Sequence, residues 1–108
     1  MNGERLTFFV HENRRLHGKL LYRWLLDTAQ DMGLHGGSAF RAIAGFGRHG
    51  VQHEQHFLEL AGDVPVAVMF ALSTDQVDAL LSRVSDEGVP LFYMRTPAEY
   101  GVINGGKG

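Results

Sequence analysis

The chain has 108 residues, 44% of them hydrophobic and 20% charged, with ten Lys or Arg against twelve Asp or Glu and no cysteine. That is enough chain for one domain that buries about 60–70% of its unfolded surface, and too little cationic excess to hold nucleic acid through a general field. The missing thiols exclude disulfides and thiolate metal sites. No apolar run approaches the roughly 18 residues of a membrane span, and the N-terminal residues lack a signal-peptide arrangement, so a cytoplasmic protein is expected.

In chain order, Arg5 to His11 comes first: Leu6, Phe8 and Val10 alternate with Thr7, Phe9 and His11, which predicts a strand with one apolar face. Residues 12–18 are polar and end in glycine. Leu21, Leu25, Ala29 and Met32 then recur at helical spacing, Tyr22 and Leu26 widen the stripe, and Gly33 stops a helix of about four turns. Trp24 is read as lying off the central stripe, at its edge or against another subunit. Residues 34–37 turn into a second strand, Ser38 to Ala44, whose two faces are both partly apolar, as a covered or intersubunit face would be.

Val51 to Leu60 fits neither period cleanly. Val64 to Leu72, VPVAVMFAL, is a nearly continuous apolar run and reads as a central strand buried on both faces, with Pro65 tolerated at its start. Ser73 and Gln76 have capping-box spacing at the head of a second helix, striped by Val77, Leu80, Leu81 and Val84 and ended by Gly88. Val89 to Arg95 is the last predicted strand. The domain is expected to span residues 1–96, with 97–108 a flexible tail.

The order β, α, β, β, α, β points to an α+β fold of the ferredoxin-like kind, a four-stranded antiparallel sheet with two helices on one face. The other face would carry apolar area that monomers rarely leave exposed, so self-association is expected.

The stretch Gly36 to Gly50, GGSAFRAIAGFGRHG, brings a strand to a glycine-rich loop entrance. Main-chain amides unshielded by side chains, beside the planar donor fork of Arg48, suit an anion. Gly45-Phe46-Gly47-Arg48, following strand two of such a fold, resembles the GFGR stretch that opens the T-loop of PII signal-transduction proteins. The whole chain is similar to a small PII-like family, a domain of unknown function related to PII. The likeness runs through His17-Gly18-Lys19-Leu20-Leu21-Tyr22, Gly33-Leu34-His35-Gly36-Gly37, Arg41 to Gly47, His53, Leu58-Glu59-Leu60 and Asp63 to Val68, within residues 5–95.

That resemblance implies a homotrimer with inward-facing sheets and with effector sites in the clefts between subunits. PII proteins bind adenine nucleotides there, and the T-loop reports the occupant to an enzyme or membrane transporter. Carried over by position, the ligand-binding residues would be Ala39, Gly45, Phe46, Gly47, Arg48 and His49, and residues 47–57 the output. Three departures stand out: Val66 replaces a phosphate-binding lysine, Asp86 to Pro90 is shorter than the PII phosphate-wrapping B-loop, and Arg95-Thr96 resembles the arginine-rich last segment of PII only faintly. A smaller anion would need fewer of those contacts.

A second constellation is His49, His53 and His56, which share one face if the segment is helical and could hold a divalent metal with Glu54 or Glu59. In a strand His56 points away and the triad breaks. A metal-binding sensor is thus one alternative to the effector reading. A small ferredoxin-like enzyme is the other, but no nucleophile elbow and no carboxylate pair is singled out by spacing, so a non-catalytic protein is expected. The element order also fits an RNA-recognition domain, yet the third strand offers Phe70 as its one aromatic and the charge balance is acidic, so no nucleic-acid partner is expected.

Overall fold

A computed structural model describes residues 1–45 and 64–105. The elements are β1 (Asn2–His11), β2 (Arg15–Leu16), β3 (Lys19–Leu20), α1 (Leu21–Asp31), β4 (Ser38–Arg41), β5 (Pro65–Leu72), α2 (Thr74–Ser85) and β6 (Phe92–Glu99). Four strands form one sheet in the order β4-β5-β1-β6, antiparallel throughout. Both helices pack on one side of it, which is the ferredoxin-like α+β arrangement.

Strand alternation decides what each face carries. Leu6, Phe8 and Val10 of β1 and Val66, Val68, Phe70 and Leu72 of β5 point to the helices and are buried. From α1 they meet Leu21, Trp24, Leu25 and Ala29, and from α2 Val77, Leu80 and Val84. Each such Val, Leu or Phe contributes roughly 1.5–3 kcal/mol through burial. Phe8 sits at the centre, edge-on to Phe70 with ring centroids 6.4 Å apart and tilted against Tyr93 at the same distance.

Among the described residues no element covers the opposite face, although Thr7 on it is buried. Register places Phe40, Ala67, Phe9 and Phe92 in one row across all four strands, and Ser38, Met69, Thr7 and Met94 in the next. Phe40 is 54% exposed, and Phe9, Phe92 and Met94 are each exposed by about two fifths.

The helix ends explain why the elements stop where they do. At the head of α2 the Ser73 hydroxyl accepts from the Gln76 amide at 3.2 Å while the Gln76 side chain accepts from the Ser73 amide at 3.0 Å, a complete capping box. At the end of α1 the Leu34 amide reaches Ala29 O and the Gly33 amide reaches Gln30 O. Gly33 has φ +79, so this is a glycine-terminated cap of the Schellman type. The head of α1 has no side-chain cap. Instead the amide of Leu21 donates to Arg14 O at 2.7 Å, from the chain leading into the β2–β3 hairpin.

Several details differ from the sequence pattern. The last strand starts at Phe92 and runs through Thr96 to Glu99, because β6 is an edge strand and can accept Pro97 without losing a sheet bond. The second strand ends at Arg41. Trp24 is in the core, 7% exposed, since the buried face of α1 is Leu21, Trp24, Leu25, Thr28 and Ala29. Tyr22 and Leu26 flank it, partly buried. The small β2–β3 hairpin was not visible in the periodicity; its two-residue loop is His17 (φ 54) and Gly18 (φ +75), both left-handed as a tight hairpin of this twist requires.

Candidate functional site

Strands β4 and β5 end and begin side by side, and the chain between them leaves from one sheet edge. Its two feet are held together: the amide of Ala42 donates to Pro65 O at 2.8 Å, and the amide of Glu12 donates to Val64 O at 2.7 Å. The Glu12 carboxylate also accepts from Arg41 Nη2 in an ion pair. One residue just past β1 therefore touches both feet, through its backbone on one side and its side chain on the other.

Of the residues expected to bind a ligand, Ala39 and Gly45 are described. Ala39 lies on the edge strand in register with Val68 and Phe8, on the helix side of the sheet, and is exposed. Gly45 lies four residues past Arg41, exposed, and a Cβ added there would meet nothing within 4 Å. Phe46, Gly47, Arg48 and His49, and with them His53, His56 and the output segment 47–57, lie outside the described residues. Among the described residues no group of three His, Asp or Glu side chains is placed to hold a metal ion.

On the same side of the sheet, a cleft of about 540 Å³ opens between the last turns of α1 and the turn into β4. Leu26, Leu34 and Phe70 supply its apolar lining, and Arg23, Asp27, Gln30 and His35 its polar one. Gly37 is required here by close approach: a Cβ on it would lie 2.5 Å from the Phe70 ring and 3.1 Å from Leu26. Asp27 is engaged by Lys19 at 2.9 Å.

Two charged clusters tie α2 to the rest. Glu87, just beyond the helix, accepts from Arg83 at 2.8 Å and pairs with His17 of the hairpin loop at 2.6 Å. Arg83, and secondarily His17, hold the Glu87 carboxyl below the usual carboxylate range. The Arg83 guanidinium lies over the Trp24 ring, 5.3 Å from its centre. At the other end, Arg95 grips both oxygens of Glu4 at 2.7 Å and reaches Asp78 at 2.9 Å. That fork lowers the Glu4 carboxyl and raises the guanidinium. All three Arg95 nitrogens are thus committed within the subunit.

His17 and Arg41 enter the sequence reading only within the stretches of family likeness, and no pairing of Glu12 with Arg41 or of His17 with Glu87 stands out there. Glu12 and Arg41 are 29 residues apart and His17 and Glu87 70 apart, and no spacing rule connects partners that only the fold brings together.

No helix among the described residues is long and apolar enough to cross a membrane. Residues 3–89 match the model of the DUF190 family, described as Uncharacterized ACR, COG1993. The chain is also similar to the UPF0166 protein of Aquifex aeolicus (strain VF5), with 30% identity over 79 residues that cover 73% of this chain and 75% of that protein. The chain belongs to the DUF190 family.

Proposed function

We propose that this DUF190-family chain is a PII-like regulatory protein. In this reading subunits associate through their open sheet faces, as a cytoplasmic trimer, and bind a small anionic effector at the clefts between them, an adenine nucleotide by preference. The segment after β4 carries the signal to a regulated enzyme or membrane transporter. The observation that carries the reading is the pair of uncovered rows on the sheet, Phe40-Ala67-Phe9-Phe92 and Ser38-Met69-Thr7-Met94, which run to the edge from which the 46–63 segment leaves. Apolar area of this kind favours a partner surface. A second copy supplies one, and would bring its own residues to the β4 edge, beyond which Gly45 and the GFGR stretch follow in the chain.

Such a site would hold phosphate oxygens with glycine amides and the Arg48 fork rather than with the lysine that Val66 replaces. Thermal unfolding against ATP, ADP, AMP and a cyclic nucleotide tests it. A ligand that prefers the folded trimer raises apparent stability by about 2.7 kcal/mol at a hundred times its dissociation constant. Arg48→Ala is expected to weaken that binding about tenfold, the loss of one charge-assisted contact, without lowering the melting temperature of the free protein. No shift with any of the four nucleotides would contradict the reading.

A further inference from the structure

The cleft beside α1 takes its shape from local rules. Arg23, Leu26, Asp27 and Gln30 stand at i, i+3, i+4 and i+7, so one stripe of the helix, about 10 Å long, forms a wall. The turn at residues 35–37 forms another, and Leu34 and Phe70 complete the apolar lining. Gly37 lies so close to Phe70 and Leu26 that no side chain fits, and Gly36 has φ +79, so both positions require glycine. The space, about 540 Å³, is of the size that takes one small molecule.

Charge decides what kind of molecule. Asp27 is already paired with the Lys19 amine at 2.9 Å, so the acid of the lining is balanced. Arg23 is exposed, and among the described residues no ion pair or hydrogen bond engages it; its guanidinium lies 6.0 Å from the centre of the Tyr22 ring. At the end of α1 the carbonyls of Thr28, Ala29 and Gln30 accept from the amides of Met32, Leu34 and Gly33. That end of the helix is its negative one and disfavours an anion. Arg23 stands more than two turns back from the cap at Met32, where an anion is not opposed. Between the two ends the lining is apolar, through Leu26, Leu34 and Phe70.

We infer that this cleft binds a small amphipathic carboxylate, with the carboxylate on the Arg23 fork and an apolar body against Leu26, Leu34 and Phe70. A carboxylate accepts from a guanidinium through two parallel bonds, and the body removes apolar surface from water on both sides. The site goes beyond the effector reading and is independent of it. Its lining comes from one subunit and shares no residue with the proposed phosphate site.

The experiment is an amide-resolved NMR titration of the full chain with phenylpropionate, and with phenylpropanol and phenylpropylamine as neutral and cationic counterparts. Saturable shifts centred on residues 23–37 are expected with phenylpropionate, at an affinity about tenfold above that of either counterpart. Arg23→Gln is expected to bring phenylpropionate down to the affinity of the alcohol and to leave the alcohol unchanged. Gln30→Trp fills the cleft from its lip and is expected to abolish binding of both. Both positions are exposed, so both variants are expected to fold, and their ligand-free spectra check this. Absence of saturation by phenylpropionate at millimolar concentration overturns the proposal. So does binding of the alcohol or the amine as tight as that of the carboxylate, or wild-type affinity for phenylpropionate in either variant.

Discussion

On one face of the sheet Leu6, Phe8, Val68 and Phe70 are closed over by α1 and α2, and on the other Phe40, Phe9 and Phe92 line up in a row that the described residues leave open. The two faces are built from the same strands by the same alternation, and their side chains are alike in kind. Phe9 and Phe92 even make a tilted ring contact at 5.6 Å, comparable with the Phe8 contacts on the covered side. What differs is what lies over them. The buried cluster of the described residues closes without the open row, so among those residues nothing packs over it. The proposed trimer would cover it with another copy.

The largest effect expected from this comparison is on the covered face. Phe8→Ala should cost about 3–5 kcal/mol of stability, because a large ring at the centre of the packing is lost and the fully buried neighbours relax only in part. Urea unfolding at fixed protein concentration reads it, and a loss below about 1 kcal/mol would mean that the covered face is not the core that holds the subunit. A smaller effect, visible in its pH dependence, is expected at the rim of the same face. There the Arg95 fork, with help from Thr74, keeps the Glu4 carboxyl below its ordinary value. The folded chain therefore holds that proton less tightly than the unfolded chain. The resulting stability is present above the ordinary carboxylate pKa and is lost as pH falls through the depressed folded value. Glu4→Gln is expected to flatten the fall in stability below about pH 5, and acid unfolding curves of the two proteins check it.

Much of the covered face was legible in sequence because alternation at β1 and the Ser73–Gln76 box are local signals, whereas β5, whose continuous apolar run reads as buried on both faces, buries Val66, Val68, Phe70 and Leu72 on the helix side and leaves Ala67 and Met69 half-buried and Ala71 exposed on the other. The phase of α1 was harder to read. Leu21, Leu25 and Ala29 are common to two possible stripes, and the choice between Trp24 with Thr28 and Tyr22 with Leu26 depends on which side meets the sheet. Trp24 turns inward because its large apolar surface gains most there, and Arg83 of α2 lies over its ring. The hairpin at Arg15 to Leu20 escaped because two-residue strands have no measurable period, although His17-Gly18 is a turn signal.

The candidate site was legible only as a short glycine-rich motif and a resemblance. Ala39 lies on β4 and Gly45 four residues past its end, while the side chains that organise the strand ends, Glu12 and Arg41, meet through tertiary structure. A carboxylate in a polar run after β1 looks like any solvated residue until β4 is laid beside it.

The most direct test of the account is the mass of the protein in solution, measured by sedimentation equilibrium for the wild type and for Phe40→Glu. The account predicts three times the 12.0 kDa chain mass for the wild type, and a single-chain mass with retained helical signal for the variant. A wild type that sediments as a single chain at micromolar concentration would contradict it, since the open face would then have no second copy to cover it and the clefts between subunits would not exist.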